Sequence, residues 1–167
     1  MSVSEHRAHS PASVACFVLT VSDTRTLETE TSGRTIADLL TGAGHTVVDR
    51  QVVKDEAAAV QHAIRDEIAR GRVQAIITTG GTGVSKRDST YEALTAMFEK
   101  RLDGFGELFR MLSYHEVGSA AMLSRATAGV AFGCVIFMLP GSEAAVRLAT
   151  TQLILPELGH IIRELTK

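Results

Sequence analysis

Residues 78–88, TTGGTGVSKRD, place three glycines, two basic residues and an aspartate directly after a short apolar run. Glycines let successive backbone N–H groups point at a single anion, and they let a phosphate approach the main chain closely. A helix that starts near Ser89 would add the positive end of its dipole. These residues predict a phosphate-binding loop. The alternative is a tight connection between a strand and a helix, without a ligand.

The loop differs from the two common glycine-rich nucleotide motifs. The sequence lacks the G-x-x-x-x-G-K-[ST] pattern of P-loop proteins, and the GTG at 81–83 is followed by VSK, without a third glycine. The second predicted strand also lacks the acidic residue that a dinucleotide-binding fold would need at its end. An oxidoreductase with a dinucleotide cofactor is therefore disfavoured.

Two carboxylates, Asp55 and Asp88, stand just before predicted helices. Asp55 is well placed to cap the helix after it, whereas before the next helix either Asp88 caps it or Ser89 and Glu92 form a capping box in STYE. Two carboxylates beside a phosphate loop also suit Mg²⁺, which takes one or two carboxylates and completes its shell with phosphate oxygens and water. Capping and catalysis remain alternatives for both aspartates.

Another strand-to-helix turn lies in LPGSEAAV, residues 139–146. Gly141 leaves the backbone exposed there, and Ser142 is a natural N-cap for the helix that follows. Simple capping and a second contact with a bound ligand are both open for this turn.

Alternating strand and helix patterns must position these loops. Strands are predicted at 13–22, 45–53 and 73–79 and as two short strands around Gly133 within 126–141; helices are predicted at 31–46, 55–71, 88–100, 104–118 (broken) and 142–167 (interrupted near Pro156). Such alternation implies parallel strands joined by right-handed crossovers. We predict one doubly wound three-layer α/β/α domain over residues 14–167, with a mostly parallel sheet and one antiparallel strand. Residues 1–13 are interpreted as a flexible tail.

Composition restricts the classes of function. The 167 residues carry a formal net charge of −2 and no tryptophan, and basic residues do not cluster, so a nucleic-acid groove is not expected. The longest apolar run, residues 130–139, is too short to span a membrane. The first 13 residues lack the apolar segment of a secretory signal, and Cys16 and Cys134 lie in apolar runs as free thiols would. A cytoplasmic protein is therefore expected.

Five segments in order, SDTRTLETETSG, TTGGTGVSKRDSTYEAL, GFGELFRMLS, SRATAG and LPGS, resemble the molybdenum cofactor biosynthesis proteins of the MoaB/MogA type. The resemblance runs from about residue 15 to residue 165, and GFGELFRMLS and PGSEAAV are more similar to the MoaB branch. The same domain occurs in gephyrin-like and plant cofactor-insertion proteins.

The resemblance implies adenylylation of molybdopterin, in which Mg-ATP and molybdopterin give adenylyl-molybdopterin and pyrophosphate. It implies that Asp55 and Asp88 are the essential acidic residues, which would also hold the Mg²⁺. It places the nucleotide against Thr79, Gly80, Gly81, Thr82, Gly83, Pro140, Gly141 and Ser142. It places the pterin near Ser22, Asp23, Thr24, Ser113 and Arg125.

The resemblance further implies a homotrimer or a homohexamer, with possible contacts to other molybdenum cofactor enzymes. The residues themselves support assembly, because segment 104–123 carries more apolar side chains than one broken helix needs for its own core. The alternative function is a non-catalytic oligomer that binds molybdopterin or a nucleotide.

Overall fold

The computed structural model describes residues 2–167. The strands are β1 (Ala15–Val21), β2 (Thr46–Val53), β3 (Ala75–Thr79), β4 (Lys100–Arg101), β5 (Thr127–Ala131) and β6 (Cys134–Leu139). The helices are α1 (Val3–Ala8), α2 (Ser32–Gly42), α3 (Ala57–Ala69), α4 (Thr90–Thr95), α5 (Asp103–Val117), α6 (Glu143–Ala149) and α7 (Leu155–Leu165). A 3₁₀ helix, Gly118–Leu123, follows α5, and a π-helical turn, Thr150–Ile154, joins α6 to α7.

One mixed sheet organises the domain, in the order β2-β1-β3-β6-β5-β4. Strands β2, β1, β3 and β6 are parallel, and β5 runs antiparallel to both of its neighbours. The predicted α/β fold, with a mostly parallel sheet and one antiparallel strand, is therefore confirmed. Parallel strands end at the same edge of a sheet, so the loops after β1, β2, β3 and β6 meet there.

Each face of the sheet is covered by its own apolar core. Because side chains alternate along a strand, Cys16 and Val18 of β1 face one core and Phe17 and Leu19 face the other. Helices α2, α5, α6 and α7 pack on the first face, and α3 and α4 pack on the second. This gives the three layers that the alternating pattern predicts.

A tight hairpin joins β5 to β6, as the sequence predicts. Phe132 and Gly133 connect the strands with φ angles of 51° and 77°. Two successive residues with positive φ are typical of a two-residue turn that matches the twist of the strands. The hairpin reverses the chain, and this makes β5 the antiparallel strand.

Strand β2 forms one edge of the sheet and contains an irregularity. Cys16 pairs with Val47, but the next residue of β1, Phe17, pairs with Asp49, so that Val48 is left over as a bulge. Asp49, Arg50 and Gln51 follow directly, so this edge strand carries polar, half-buried side chains after the bulge.

The predicted helix over 88–100 forms only in part, because α4 spans Thr90–Thr95. The chain then pairs with β5, where the Glu99 amide donates to Val130 O (2.8 Å) and the Leu102 amide donates to Ala128 O (2.8 Å). These long-range hydrogen bonds outweigh local helix propensity. The segment expected to be a broken helix is continuous as α5 instead.

The C-terminal helical segment is interrupted near Pro156, as the sequence predicts. The break expected near Pro156 is the π-helical turn before it, and Pro156 lies in the first turn of α7, where a missing N–H is tolerated. Within the segment interpreted as a flexible tail, α1 carries a capping box between Ser2 and Glu5, and Arg7 pairs with Glu157 of α7. Among residues 2–167, no helix is long and apolar enough to cross a membrane.

An apolar surface runs along α5 and the 3₁₀ helix. Its side chains are 48–79% exposed and belong to Leu108, Met111, Tyr114, Val117, Met122 and Leu123. Contiguous exposed apolar surface is typical of interfaces between protein chains. We therefore expect the chain to assemble through this surface.

We predict that Met111→Glu with Val117→Glu shifts the assembled species to monomers, because two buried carboxylates oppose association. Light scattering at micromolar concentration measures the shift. Phe132→Glu is the matched control, since Phe132 is equally exposed, at 57%, but lies in the β5–β6 hairpin. A wild-type chain that is monomeric in this measurement would contradict the predicted interface.

Candidate functional site

Backbone hydrogen bonds and one side chain draw the strand-end loops together. The Ser22 amide donates to Val53 O (2.9 Å), and the Gly80 amide donates to Leu139 O (3.0 Å). The Thr79 hydroxyl donates to Pro140 O (2.9 Å). The structure therefore brings the predicted loops at 22–24, 79–83 and 140–142 to one edge of the sheet.

A polar cavity of about 380 Å³ opens between these loops. Five of the predicted site residues line it, namely Ser22, Thr24, Thr79, Gly80 and Gly141. Ser142 stands beside it as the N-cap of α6 and accepts a hydrogen bond from the Ala145 amide (3.2 Å), which confirms the predicted cap.

Close packing explains why the loop after β3 is rich in glycine. Gly80 and Gly81 have φ angles of 95° and 70°, in the region that favours glycine. A Cβ atom on Gly80 would lie 2.2 Å from Val21 O, and one on Gly83 would lie 2.6 Å from Asp88 Oδ2. Gly80 is therefore required by the chain's own backbone, whereas a side chain at Gly83 would have to displace the Asp88 carboxylate.

Asp55 is buried and does not cap the helix that follows it, because Glu56 holds the N-cap position of α3. Its Oδ1 accepts hydrogen bonds from the Ser89 amide (3.1 Å), the Ser89 hydroxyl (2.9 Å) and the Thr90 hydroxyl (3.3 Å). The alternative in which Asp55 caps α3 is therefore wrong. The carboxylate instead secures the start of α4, across the end of the sheet.

The capping box that was one alternative for STYE does not form, although Ser89 does hold the N-cap position of α4. The Ser89 hydroxyl donates to Asp55, and the Glu92 carboxylate pairs with Arg125. Asp88 precedes the N-cap and accepts a hydrogen bond from the Ser85 amide at Oδ2 (3.0 Å), so it folds the glycine loop rather than capping α4. The STYE pattern failed because the actual partners of Ser89 and Glu92 are Asp55 and Arg125, which lie 34 and 33 residues away along the chain.

Asp23 and Arg87 form an ion pair across two loops. The guanidinium donates from Nε to Asp23 Oδ2 (2.7 Å) and from Nη2 to Asp23 Oδ1 (3.0 Å). These hydrogen bonds lower the pKa of Asp23 and raise the pKa of Arg87. Asp23 Oδ1 also accepts a hydrogen bond from the Asp55 amide (3.1 Å).

The residues that the resemblance places near a pterin are spread over separate surfaces. The Arg125 guanidinium contacts the glycine loop by donating hydrogen bonds to Thr82 O (3.1 Å) and to Gly83 O. The same group stacks over the Tyr91 ring, 4.5 Å from its centre. It lines a second cavity of about 380 Å³. Ser113 lines a small cavity of about 180 Å³ that also contacts Ser142.

Glu30 is a site residue that the sequence reasoning missed. It lines the first cavity and is 2% exposed. Its Oε2 accepts hydrogen bonds from the Thr20 hydroxyl (3.1 Å) and the Gly33 amide (2.7 Å), and its Oε1 pairs with Arg50. Glu30 stands three residues before Gly33, in the first turn of α2. This spacing was the sequence signal that could have identified it.

The carboxylates fit a magnesium ion brought with a phosphate better than a metal held by protein alone. Within residues 2–167, no group of three or more His, Cys, Asp or Glu side chains is arranged to hold a metal. All hydrogen bonds that Asp55 accepts reach Oδ1, and the bond that Asp88 accepts reaches Oδ2. Each side chain keeps a second oxygen, and Mg²⁺ needs only one or two carboxylates when phosphates and water supply the rest.

The chain is similar in sequence to known proteins over nearly its whole length. Residues 17–160 match the family described as "Probable molybdopterin binding domain". The molybdenum cofactor biosynthesis protein B of Halalkalibacterium halodurans is 50% identical over 168 residues, covering 100% of this chain and 99% of the relative. The protein of the same name from Bacillus subtilis is 49% identical, with the same coverage.

Solved structures show the same fold. A crystal structure of a molybdenum cofactor biosynthesis protein B has a TM-score of 0.91 at 50% identity, covering 95% of this chain and 99% of that chain. The tungsten cofactor synthesizing protein MoaB from Pyrococcus furiosus has a TM-score of 0.85 at 36% identity, covering 95% and 100%. The chain therefore belongs to the MoaB family of molybdenum cofactor biosynthesis proteins.

Proposed function

We propose that the chain transfers the adenylyl group of Mg-ATP to molybdopterin and releases pyrophosphate. The observation that carries the proposal is that two carboxylates lie against the glycine loop at the carboxyl end of the sheet, Asp55 beside Gly81 and Asp88 beside Gly83. Family membership supports a role in molybdenum cofactor biosynthesis.

The reaction needs little covalent chemistry from the protein. A terminal phosphate oxygen of molybdopterin forms a bond to the α-phosphorus of ATP, and the bond from that phosphorus to the bridging oxygen of pyrophosphate breaks. Such transfers depend on positioning and on neutralisation of charge. A bound Mg²⁺ would supply positive charge to the phosphate oxygens.

The chain's own residues would do the positioning. The backbone amides of residues 81–83 would bind phosphate oxygens, and the free oxygens of Asp55 and Asp88 would hold the magnesium. The cavity beside Gly80 and Gly141 is polar and large enough for part of a substrate. Arg87 is already paired with Asp23, so Lys86, on the same loop, would offset negative charge.

A second candidate, a non-catalytic molybdopterin- or nucleotide-binding oligomer, is favoured by one observation. Both carboxylates already have structural partners, since Asp55 holds Ser89 and Thr90 and Asp88 holds Ser85. In that case the same loops would bind the ligand without turning it over.

Incubation of the purified protein with Mg-ATP and molybdopterin separates the two functions. We expect adenylyl-molybdopterin and pyrophosphate in equal amounts, detected by mass spectrometry and a coupled pyrophosphate assay. Omission of magnesium should abolish both products. Binding of either substrate in calorimetry without any product would favour the non-catalytic oligomer.

A further inference from the structure

The carboxylate of Asp23 holds groups from two other loops. It accepts two hydrogen bonds from the Arg87 guanidinium and one from the Asp55 amide (3.1 Å). Asp23 follows β1, Asp55 follows β2, and Arg87 lies between β3 and α4. One side chain thus connects the ends of three neighbouring parallel strands.

These contacts bear on the carboxylates proposed for catalysis. The hydrogen bond to the Asp55 amide fixes the main chain of that residue, whose side chain in turn holds Ser89. The pair with Arg87 fixes the loop segment that ends at Asp88. Arg87 Nη2 also lies 3.7 Å from Glu56 Oε1, which adds a weaker contact on the same side.

We propose that Asp23 is a positioning residue that sets the relative placement of the Asp55 loop and the glycine loop, rather than a residue that contacts the pterin. Both oxygens of the Asp23 carboxylate already accept hydrogen bonds from Arg87 or the Asp55 amide, so the side chain has little capacity left to bind a ligand. The part of this proposal that concerns catalysis rests on the proposed adenylyl transfer, whereas the placement of the loops does not.

The contribution of Asp23 is expected to be local. The side chains of Asp23 and Arg87 are 35% and 57% exposed, and an exposed ion pair adds little to the stability of a whole domain. Its loss should therefore loosen two loops without unfolding the sheet. A misplacement of about 1 Å at a reacting group costs on the order of 100-fold in rate, so local loosening is enough to impair catalysis.

Amide hydrogen exchange, followed by mass spectrometry, tests the placement directly. Asp23→Ala should accelerate exchange in segments 54–56 and 85–89 by about tenfold or more, while exchange in β1 and β3 stays unchanged. Asp66→Ala is the matched control, because Asp66 forms an exposed ion pair with Arg70 (3.0 Å) on α3, away from these loops. Unchanged exchange in both segments would overturn the proposal.

Conservative variants separate the two contacts. Asp23→Asn keeps an oxygen for the Asp55 amide but loses the charge that holds Arg87, so only segment 85–89 should exchange faster. Arg87→Gln should produce the same pattern. If Asp23→Asn accelerated exchange in both segments as Asp23→Ala does, the inference that the carboxylate makes two separable contacts, one with the Asp55 amide and one with Arg87, would be wrong.

Activity provides the second readout. We expect kcat to fall roughly 10–100-fold in Asp23→Ala, and adding Arg87→Ala should cost little more, since the two groups act as one unit. Faster exchange together with unchanged kcat would reject the positioning role. An inactive wild type would reject the proposed transfer instead, and the exchange pattern would still decide the placement of the loops.

Discussion

Gly80→Ala is expected to lower the melting temperature by roughly 6–12 °C, which corresponds to about 3 kcal/mol for a domain of this size. Gly80 has a φ of 95°, and an added Cβ would lie 2.2 Å from the carbonyl oxygen of Val21 in β1. Backbone at the centre of a sheet cannot move away, unlike a flexible side chain. Thermal unfolding followed by circular dichroism measures the change.

Gly42→Ala is the matched control for this substitution. Gly42 lies at the end of α2, and apart from the adjacent residues and backbone of that helix, no heavy atom of the described chain lies within 4 Å of the position a Cβ would take. Alanine there should leave stability unchanged or raise it by up to about 1 kcal/mol. A Gly80→Ala protein as stable as Gly42→Ala would show that the loop after β3 relaxes easily.

Gly81 illustrates how the structure changes the design of such experiments. From the sequence, a valine at this position is predicted to fill the phosphate cradle and leave the fold intact. A Cβ there would lie 2.1 Å from Thr90 Oγ1 and 3.1 Å from Asp55 Oδ1. The substitution would therefore displace the start of α4 as well, and a loss of nucleotide binding would not identify the cradle.

Asp88→Asn is expected to reduce adenylyl transfer by about 100-fold or more, with little change in thermal stability. The amide oxygen of asparagine accepts the Ser85 amide as the carboxylate does, so the loop keeps its turn. What is lost is the negative charge that would hold a magnesium ion against phosphates. Steady-state rates at saturating Mg-ATP measure the effect.

Asp38→Asn is the control, because Asp38 is exposed on α2 and away from the loops. Asp55→Asn should resemble Asp88→Asn in rate, and the double variant should be little worse than either single variant if the two carboxylates act as one unit. Activity within a few-fold of the wild type in Asp88→Asn would limit this aspartate to folding the loop.

The order of strands and helices was predictable because it depends on local patterns. Strands β1, β3 and β6 are continuous apolar runs, and the turn at Gly133 follows from glycine's tolerance of positive φ. The ends of parallel strands then had to share one edge of the sheet. This rule was enough to expect the segments 21–24, 52–56 and 78–88 at one edge without a structure, whereas the turn at 140–142 was joined to the site only through the family resemblance.

The side-chain partners within the site were not predictable in the same way. Asp55 looked like the cap of α3, yet it binds Ser89, 34 residues further along the chain. Asp23 looked available for a ligand, yet Arg87, 64 residues away, occupies it. Local motifs describe neighbours in sequence, whereas these hydrogen bonds exist only after β1, β2 and β3 have aligned.

The bulge in β2 has a consequence for how copies of this chain can meet. An open strand offers unpaired backbone groups to any passing segment, and edge-to-edge pairing leads readily to aggregates. The extra residue at Val48 interrupts the regular spacing of those groups, and the charged side chains at Asp49 and Arg50 disfavour a flat partner. At the opposite edge, β4 is only two residues long and offers almost no template. Neither edge of the sheet offers a long, regular and uncharged strand, so the exposed apolar surface along α5 is the more favourable place for two copies to meet.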